Sequence, residues 1–148
     1  MSTTITIPEL GEGVDSVDVV SVLVEVGDTI DTDLVTIAAF HSIEASGAGR
    51  LVSKKPSGKV PPGWEVLESD AFAELKDRLQ ADGVKVVPVI QRVAWADGTR
   101  KRTINLLSRQ KTRDRLARQI ARFVEQRGFD GVNLDVEPLP AQVADDYV

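Results

Sequence analysis

The sequence predicts an α/β fold built on a partial, barrel-type parallel sheet. Two segments with helical periodicity end in glycine, at Gly83 and at Gly128, and a strand-like apolar run follows each of them. A further apolar run at 34–40 precedes both, which gives the order β-loop-α-β-loop-α-β. Because strands joined by helices become parallel neighbours through right-handed crossovers, we expect the three runs to form one parallel sheet.

Length and composition exclude several classes of protein and site. The 148 residues are 42% hydrophobic and 28% charged, with no cysteine and one histidine. Disulfides, thiolate metal sites and multi-histidine metal sites are therefore excluded, and we expect neither a metal nor a cofactor. No apolar run approaches the roughly 20 residues of a membrane span, so no membrane partner is expected. The first residues lack the basic and apolar regions of a signal peptide, which predicts a cytoplasmic protein.

Charge is divided unevenly along the chain. Residues 1–49 carry nine acidic side chains and no Lys or Arg, whereas residues 92–127 carry eleven basic and three acidic side chains. Such a change indicates two pieces with different histories, and the different family resemblances of the two pieces place their boundary between 1–33 and 34–148. The basic stretch lacks a set of aromatic side chains that would stack on bases, so we interpret it as solvated helix surface and expect no nucleic-acid partner.

The first half of the chain predicts short strands followed by an irregular segment. Residues 3–7 alternate, and the valine-rich stretch at 17–26 has one apolar face and ends at a Gly-Asp turn. The apolar run at 34–40 is the next strand. Residues 44–63 hold four glycines and three prolines, which predicts a long loop or a ragged hairpin.

The second half predicts two helix-strand pairs. Ser69 is a candidate N-cap for the first helix, whose apolar stripe is Phe72, Leu75 and Leu79. A buried strand over 84–90 follows, and then a loop from Gln91 to about Leu107. The second helix begins at Ser108 or Thr112 and ends at Arg127, and its apolar stripe consists of Leu116, Ile120, Phe123 and Val124. The last strand carries Val132, Leu134 and Val136.

Polar side chains occupy one face of this last strand. Strand side chains alternate, so Asn133, Asp135 and Glu137 point away from the three apolar residues. Buried polar groups are costly unless they are paired or used. In a barrel the apolar set would pack on the helices and the polar set would face the interior. Glu137 falls at the carboxyl end of the strand, where barrel active sites lie.

Two carboxyl groups in this row suit acid-base chemistry. The Cα atoms of Asp135 and Glu137 should be roughly 6.6 Å apart, and two carboxylates that close resist ionising together. A carboxyl group that stays protonated near neutral pH acts as a general acid. The alternative is structural: Asp130 and Asn133 bond the loop backbone, and the pair ends at an exposed sheet rim.

The segment DGVNLDVEP at 130–138 resembles the Asp-Gly-x-Asp-x-Asp-x-Glu signature of glycoside hydrolase family 18, the chitinases and chitinase-like proteins, with Asn133 in place of the second Asp. The likeness extends over about residues 34–140, because VTIAAFHSIEASGAGRLV resembles the family's opening strand and turn, and KVVPVIQRVAW its next strand. The resemblance implies a (β/α)8 barrel that cleaves N-acetylglucosamine polymers with retention of configuration.

Residue roles follow from this resemblance. It implies that Glu137 protonates the glycosidic oxygen and that the substrate's own acetamido group is the nucleophile. Asp135 would orient that acetamide, Asn133 would hydrogen-bond to Asp135, and Asp130 would support the strand. The Ser-x-Gly-Gly motif that the family carries on the preceding strand is replaced here by the sequence Val-Ile-Gln-Arg at 89–92.

An eight-unit barrel needs about 250 residues, and the matching part of this chain has about 115. We therefore expect weak turnover or none. An incomplete barrel leaves open strand edges that invite pairing with another copy, so we also expect a homo-oligomer.

The segment at about 3–37 resembles a different family, the lipoyl carrier domains. Its first strand, its Gly-Glu-Gly loop and its Val-Gly-Asp-Thr turn match the first half of such a domain. The family's lysine is absent, since Ala-Phe-His-Ser at 39–42 stands in its place, so no lipoylation is expected. Two alternatives to a glycosidase fragment follow: a recombined or designed chimera without activity, and a non-lipoylated interaction module.

Three further side chains are candidates with ordinary structural interpretations. His41 is expected to be a hydrogen-bonded structural residue and not a ligand. Trp64 and Trp95 are expected to pack in the core. Of the two, Trp95 is the better candidate for contact with a sugar, because it follows a barrel-type strand.

Overall fold

The described residues, 35–147 in a computed structural model, form three parallel strands with helices between them. The elements in order are β1 (Ile37–Glu44), α1 (Pro62–Leu67), α2 (Asp70–Ala81), β2 (Lys85–Val93), α3 (Asp97–Leu107), α4 (Gln110–Arg127), β3 (Asn133–Glu137) and a 3-10 helix (Ala141–Val143). The sheet order is β1-β2-β3. This confirms the predicted α/β class and parallel sheet. The lipoyl-like segment and the boundary at 33/34 lie outside the described residues.

Strands β1 and β2 extend further than their apolar runs. The first was predicted at 34–40 and continues to Glu44, and the second was predicted at 84–90 and continues to Val93. The added residues are polar in part, and they stay in the sheet because their side chains have partners. Glu44 pairs with Arg92 at 3.3 Å, and Gln91 bonds to Asp135. An apolar pattern cannot reveal a strand end that is held by paired polar groups.

Between β1 and α1 the chain forms the ragged hairpin that its glycines predict. Ala45 and Leu51 form an isolated antiparallel bridge, and Val52 N donates to the Glu44 carbonyl at 2.9 Å. Gly49 makes the turn with a φ of 72°. The short helix α1 that follows was not predicted, because it has six residues and overlaps the proline-rich end of the segment.

Helices α2 and α4 have the caps that the sequence predicts. Ser69 Oγ accepts from Phe72 N at 3.2 Å at the start of α2, and Gly128 ends α4 with a φ of 63°. Phe72 is buried and Leu79 half-buried, as expected for a stripe on the core. Leu75 is 41% exposed, so its place in that stripe was wrong. The basic side chains of α4 that face solvent include Lys111, Arg118 and Arg122.

Helix α3 replaces most of the loop predicted from Gln91 to Leu107. Only Thr103, Leu106 and Leu107 of its eleven residues are buried. These three residues form a narrow stripe near the end of the helix, and the first two turns show no apolar residues at helical spacing. Its amino-terminal residue Ala96 has no capping side chain. The Thr99 hydroxyl reaches back and accepts from the amide of Ala96 itself at 3.1 Å. A short stripe and an inconspicuous start explain why the sequence pattern missed the helix.

The core lies between the sheet and the helices. Phe72, Phe123 and Phe129 form a chain of ring contacts, with centroid separations of 6.2 and 5.6 Å, and Phe40 meets Phe72 edge-on at 4.9 Å. Trp64 packs on Phe123 at 5.5 Å, which confirms it as a packing residue. The aliphatic members of the core are Ile43, Ala45, Val86, Ile90, Leu106, Leu107, Ile120 and Val143.

Arg92 is a buried cation on the helix side of β2, with 4% of its surface exposed. Its guanidinium donates to Thr103 Oγ1 at 3.0 Å and to the Ala45 carbonyl at 2.9 Å, and it pairs with Glu44. Burial lowers the pKa of Arg92 from its usual range, while the Glu44 carboxylate opposes this change. The network ties the carboxyl ends of β1 and β2 to α3.

The outer side of β3 is only partly covered. Leu134 was expected to pack on the helices, but it is 46% exposed, because no strand lies beyond β3 in the described residues. The Tyr147 hydroxyl donates to the Leu134 carbonyl at 2.9 Å, so the last described residues fold back over this edge. A cavity of about 230 Å³ lies beneath them and is lined mainly by Ile90, Leu106, Leu116, Ile120, Leu134 and Val136.

Among residues 35–147, every helix is too short or too polar to cross a lipid bilayer.

Candidate active site

The two candidate catalytic carboxyl groups lie at the carboxyl end of β3. Asp135 is level with Gln91 of β2, and Glu137 is level with Val93. Because the strand is regular from 133 to 137, Asn133, Asp135 and Glu137 share the face opposite the helices. Asn133 and Asp135 are half-buried and Glu137 is exposed. The sheet therefore presents one carboxyl group in a partly enclosed position and a second at the rim.

A polar row crosses the sheet beside these carboxyl groups. Gln91 Nε2 donates to Asp135 Oδ2 at 3.1 Å, and Ser42 Oγ donates to Gln91 Oε1 at 3.4 Å. Gly63 of α1 packs so closely on β1 that a Cβ there would lie 2.1 Å from the Ser42 carbonyl oxygen. The sequence pattern did not indicate Ser42 or Gln91 as site residues. The sequence did contain one indication of Gln91: a glutamine directly follows a buried apolar run, and the next predicted strand has a polar face that this glutamine could meet.

Asp130 lies at the opposite, amino-terminal end of β3. Its Oδ2 accepts from Val86 N and from Gln80 Nε2, both at 2.8 Å, and its own amide donates to the Val86 carbonyl at 3.0 Å. The Val86 amide, and after it the Gln80 amide, lowers the pKa of Asp130 below its usual value. Asp130 thus joins the start of β2 to the loop before β3, away from Glu137.

The two tryptophans differ sharply in exposure. Trp95 is 73% exposed, so the expectation that it packs in the core was wrong. It follows the carboxyl end of β2, two residues beyond Val93, which lies level with Glu137. The loop that follows β2 thus exposes an aromatic ring at the carboxyl end of the sheet, the end at which Glu137 lies. The side chain of His41 lies outside the described part of the structure, and its predicted structural role stays a prediction.

The chemistry available here is that of carboxyl groups. Within residues 35–147, no cluster of three or more His, Asp or Glu side chains is suited to hold a metal ion. A carboxyl group at an open rim can donate a proton to a bound molecule, and a neighbouring fixed carboxylate can orient that molecule or stabilise positive charge on it. The Tyr147 phenol lies close enough to Asp135 to feel its charge. Partial burial, and after it the Asp135 charge, raises the pKa of Tyr147.

Several solved structures share this fold. They include a chitinase from Bacteroides thetaiotaomicron (TM-score 0.55, 18% identity), the spore cortex-lytic enzyme SleL from Bacillus cereus (0.58, 19%) and a GH18 chitinase from Cycas revoluta in complex with (GlcNAc)3 (0.53, 24%). The matches cover 76, 78 and 80% of this chain but 31, 24 and 32% of those chains, respectively. The chain thus spans about a third of these proteins or less, and the likeness shows a shared fold.

No protein-family model matches the chain, and no curated protein sequence does. None of the comparisons supports the lipoyl-like interpretation or the chimera.

Proposed function

We propose that this chain carries the acid-bearing part of a chitinase-type glycoside hydrolase that acts on N-acetylglucosamine polymers with retention of configuration. Glu137 is the general acid and Asp135 orients the substrate's acetamido group. Asn133 and Asp130 support these two carboxyl groups, Asn133 from the same face of β3 and Asp130 by joining β3 to β2. Trp95 offers a face for a sugar ring.

The reaction proceeds in two steps on the substrate's own atoms. The acetamido oxygen bonds to the anomeric carbon while the bond to the glycosidic oxygen breaks, and Glu137 gives its proton to that oxygen. Water then attacks the anomeric carbon, gives a proton to Glu137 and breaks the bond between that carbon and the acetamido oxygen. Because the anomeric carbon is attacked twice from opposite sides, its configuration is retained. Asp135 stabilises the positive charge of the cyclic intermediate.

The observation that carries the proposal is the position of two carboxyl groups on one face of β3 at the carboxyl end of a parallel sheet. This is the end at which barrel enzymes hold their active sites. The similar folds include chitinases, one of them in complex with (GlcNAc)3, and this supports N-acetylglucosamine oligomers as ligands. The exposed Trp95 beside the rim is consistent with a sugar-binding surface.

Weak turnover is part of the proposal. With three described strands, the sheet supplies one wall of a substrate cleft, and binding energy from remote sugar units is what orients a substrate for reaction. A single wall binds fewer of those units, so the rate of hydrolysis should be low.

The test is hydrolysis of a fluorogenic N-acetylglucosamine disaccharide by the wild type and by Glu137→Gln, with the exposed, remote Glu74→Gln as a matched control. Hydrolysis by the wild type and by the control, and its loss in Glu137→Gln, is the expected result. Equal hydrolysis in all three proteins contradicts the role of Glu137. A background signal from all three contradicts catalysis by this chain.

A further inference from the structure

Gln91 is the centre of the polar row that crosses the sheet beside the two carboxyl groups. It accepts from Ser42 on one side and donates to Asp135 on the other, so each strand contributes one half-buried side chain. The hydrogen bonds run in one direction, from the Ser42 hydroxyl through the Gln91 amide to the Asp135 carboxylate.

The neighbours of Gln91 determine which way its amide points. An ionised carboxylate accepts hydrogen bonds and donates none, so Asp135 selects the Nε2 end of the amide. The Oε1 end then faces β1, where a donor is required, and the Ser42 hydroxyl supplies one. Asp135 thus sets the amide orientation, and the Ser42 hydroxyl, which can donate or accept, holds the other end of the amide by donating to Oε1.

The backbone that carries Gln91 is held from the other face of the sheet. The next residue, Arg92, is buried and donates to Thr103 Oγ1 and to the Ala45 carbonyl. A polar side chain on a strand fixed in this way is preorganised, because neither its backbone nor its amide is free to follow a moving partner.

We propose that Gln91 is a positioning residue that holds the Asp135 carboxylate in a single rotamer at the level of Glu137. The catalytic meaning of that rotamer rests on the proposed function, whereas the hold of Gln91 on Asp135 does not. Gln91 lies level with Asp135 on the neighbouring strand and bonds to its carboxylate, so it acts on the reaction by positioning Asp135.

The test measures, by NMR, the three-bond couplings that report the χ1 rotamer at position 135. The wild type should show one rotamer, and Gln91→Leu should show couplings averaged over several. Gln126→Leu, the same change at an exposed position on α4, should leave the couplings unchanged. The exchanged pair Gln91→Glu with Asp135→Asn moves the amide to β3 and the carboxylate to β2, and it should restore one rotamer.

A single rotamer in folded Gln91→Leu overturns the inference. Should that variant fail to fold, Ser42→Ala decides instead: it removes the hydroxyl that anchors the Oε1 end of the amide, so it should show partial averaging, and unchanged couplings overturn the inference. Where the wild type hydrolyses substrate, Gln91→Leu should lower kcat by about 10- to 100-fold with KM within about twofold. A wild type without hydrolysis contradicts the proposed function and leaves the coupling result as it stands.

Discussion

At the scale of the residue, the segment 130–137 carries one acidic side chain for architecture and others suited to chemistry. Asp130, in the loop before β3, accepts hydrogen bonds from the Val86 amide and the Gln80 side chain. Asp135 and Glu137 lie at the carboxyl end, where parallel strands expose their catalytic groups. The sequence motif contains all three acidic residues. Their roles differ because Asp130 precedes β3, whereas Asp135 and Glu137 lie at its carboxyl end.

Asp130 should make stability depend on pH on the acid side. Its folded pKa is lowered from 3.8, so its contribution is complete above about pH 4 and is lost as pH falls through the lower folded value. Asp130→Asn should therefore be less stable than the wild type at pH 7, and the difference in unfolding free energy should shrink by pH 2.5. Urea unfolding at both pH values measures this. A difference of equal size at both would contradict the assignment.

At the scale of the element, the sequence predicts the parts whose apolar residues recur at a regular spacing. The pattern located α2, α4 and the three strands because each has such a spacing and is bounded by a recognisable cap or turn. It missed α3, whose buried stripe is three residues, and it ended β1 and β2 early because Glu44, Gln91 and Arg92 are polar. Cross-strand polar pairing depends on register, which is a property of two strands and cannot be read from either one.

Two glycines with similar backbone angles should respond differently to alanine. Gly49 and Gly83 have φ of 72° and 83°, so a Cβ costs about 1–2 kcal/mol at either. At Gly49 that Cβ would also lie 2.2 Å from the Thr112 carbonyl oxygen of α4, whereas at Gly83 no atom lies within 4 Å. Thermal unfolding should show a clearly larger loss for Gly49→Ala. Equal losses would mean that the hairpin does not press on α4.

At the scale of the whole molecule, the described sheet is one side of a barrel. This chain covers only about a quarter to a third of the length of the similar solved structures. At the outer side of β3, Leu134 is nearly half exposed. The sequence predicted the three parallel strands of this sheet from three apolar runs with helical segments between them. It did not predict that Tyr147 would bond to the Leu134 carbonyl, because that contact depends on the path of the chain after β3.

The open edge of β3 should lead to self-association. Exposed strand edges pair with other chains, and a lysine on such an edge prevents it. Light scattering should find a dimer or a larger species for the wild type and a smaller species for Leu134→Lys. A monomeric wild type would contradict this expectation.

The most direct test of the account is to locate the binding of an N-acetylglucosamine tetramer by NMR. We predict amide shifts at the carboxyl ends of β2 and β3, including Gln91, Trp95, Asp135 and Glu137, with none at Asp130. Quenching of Trp95 fluorescence should follow the same titration, and Trp95→Ala should weaken the binding. Shifts confined to other surfaces, or no shifts at millimolar oligomer, would contradict a sugar-binding site at this end of the sheet.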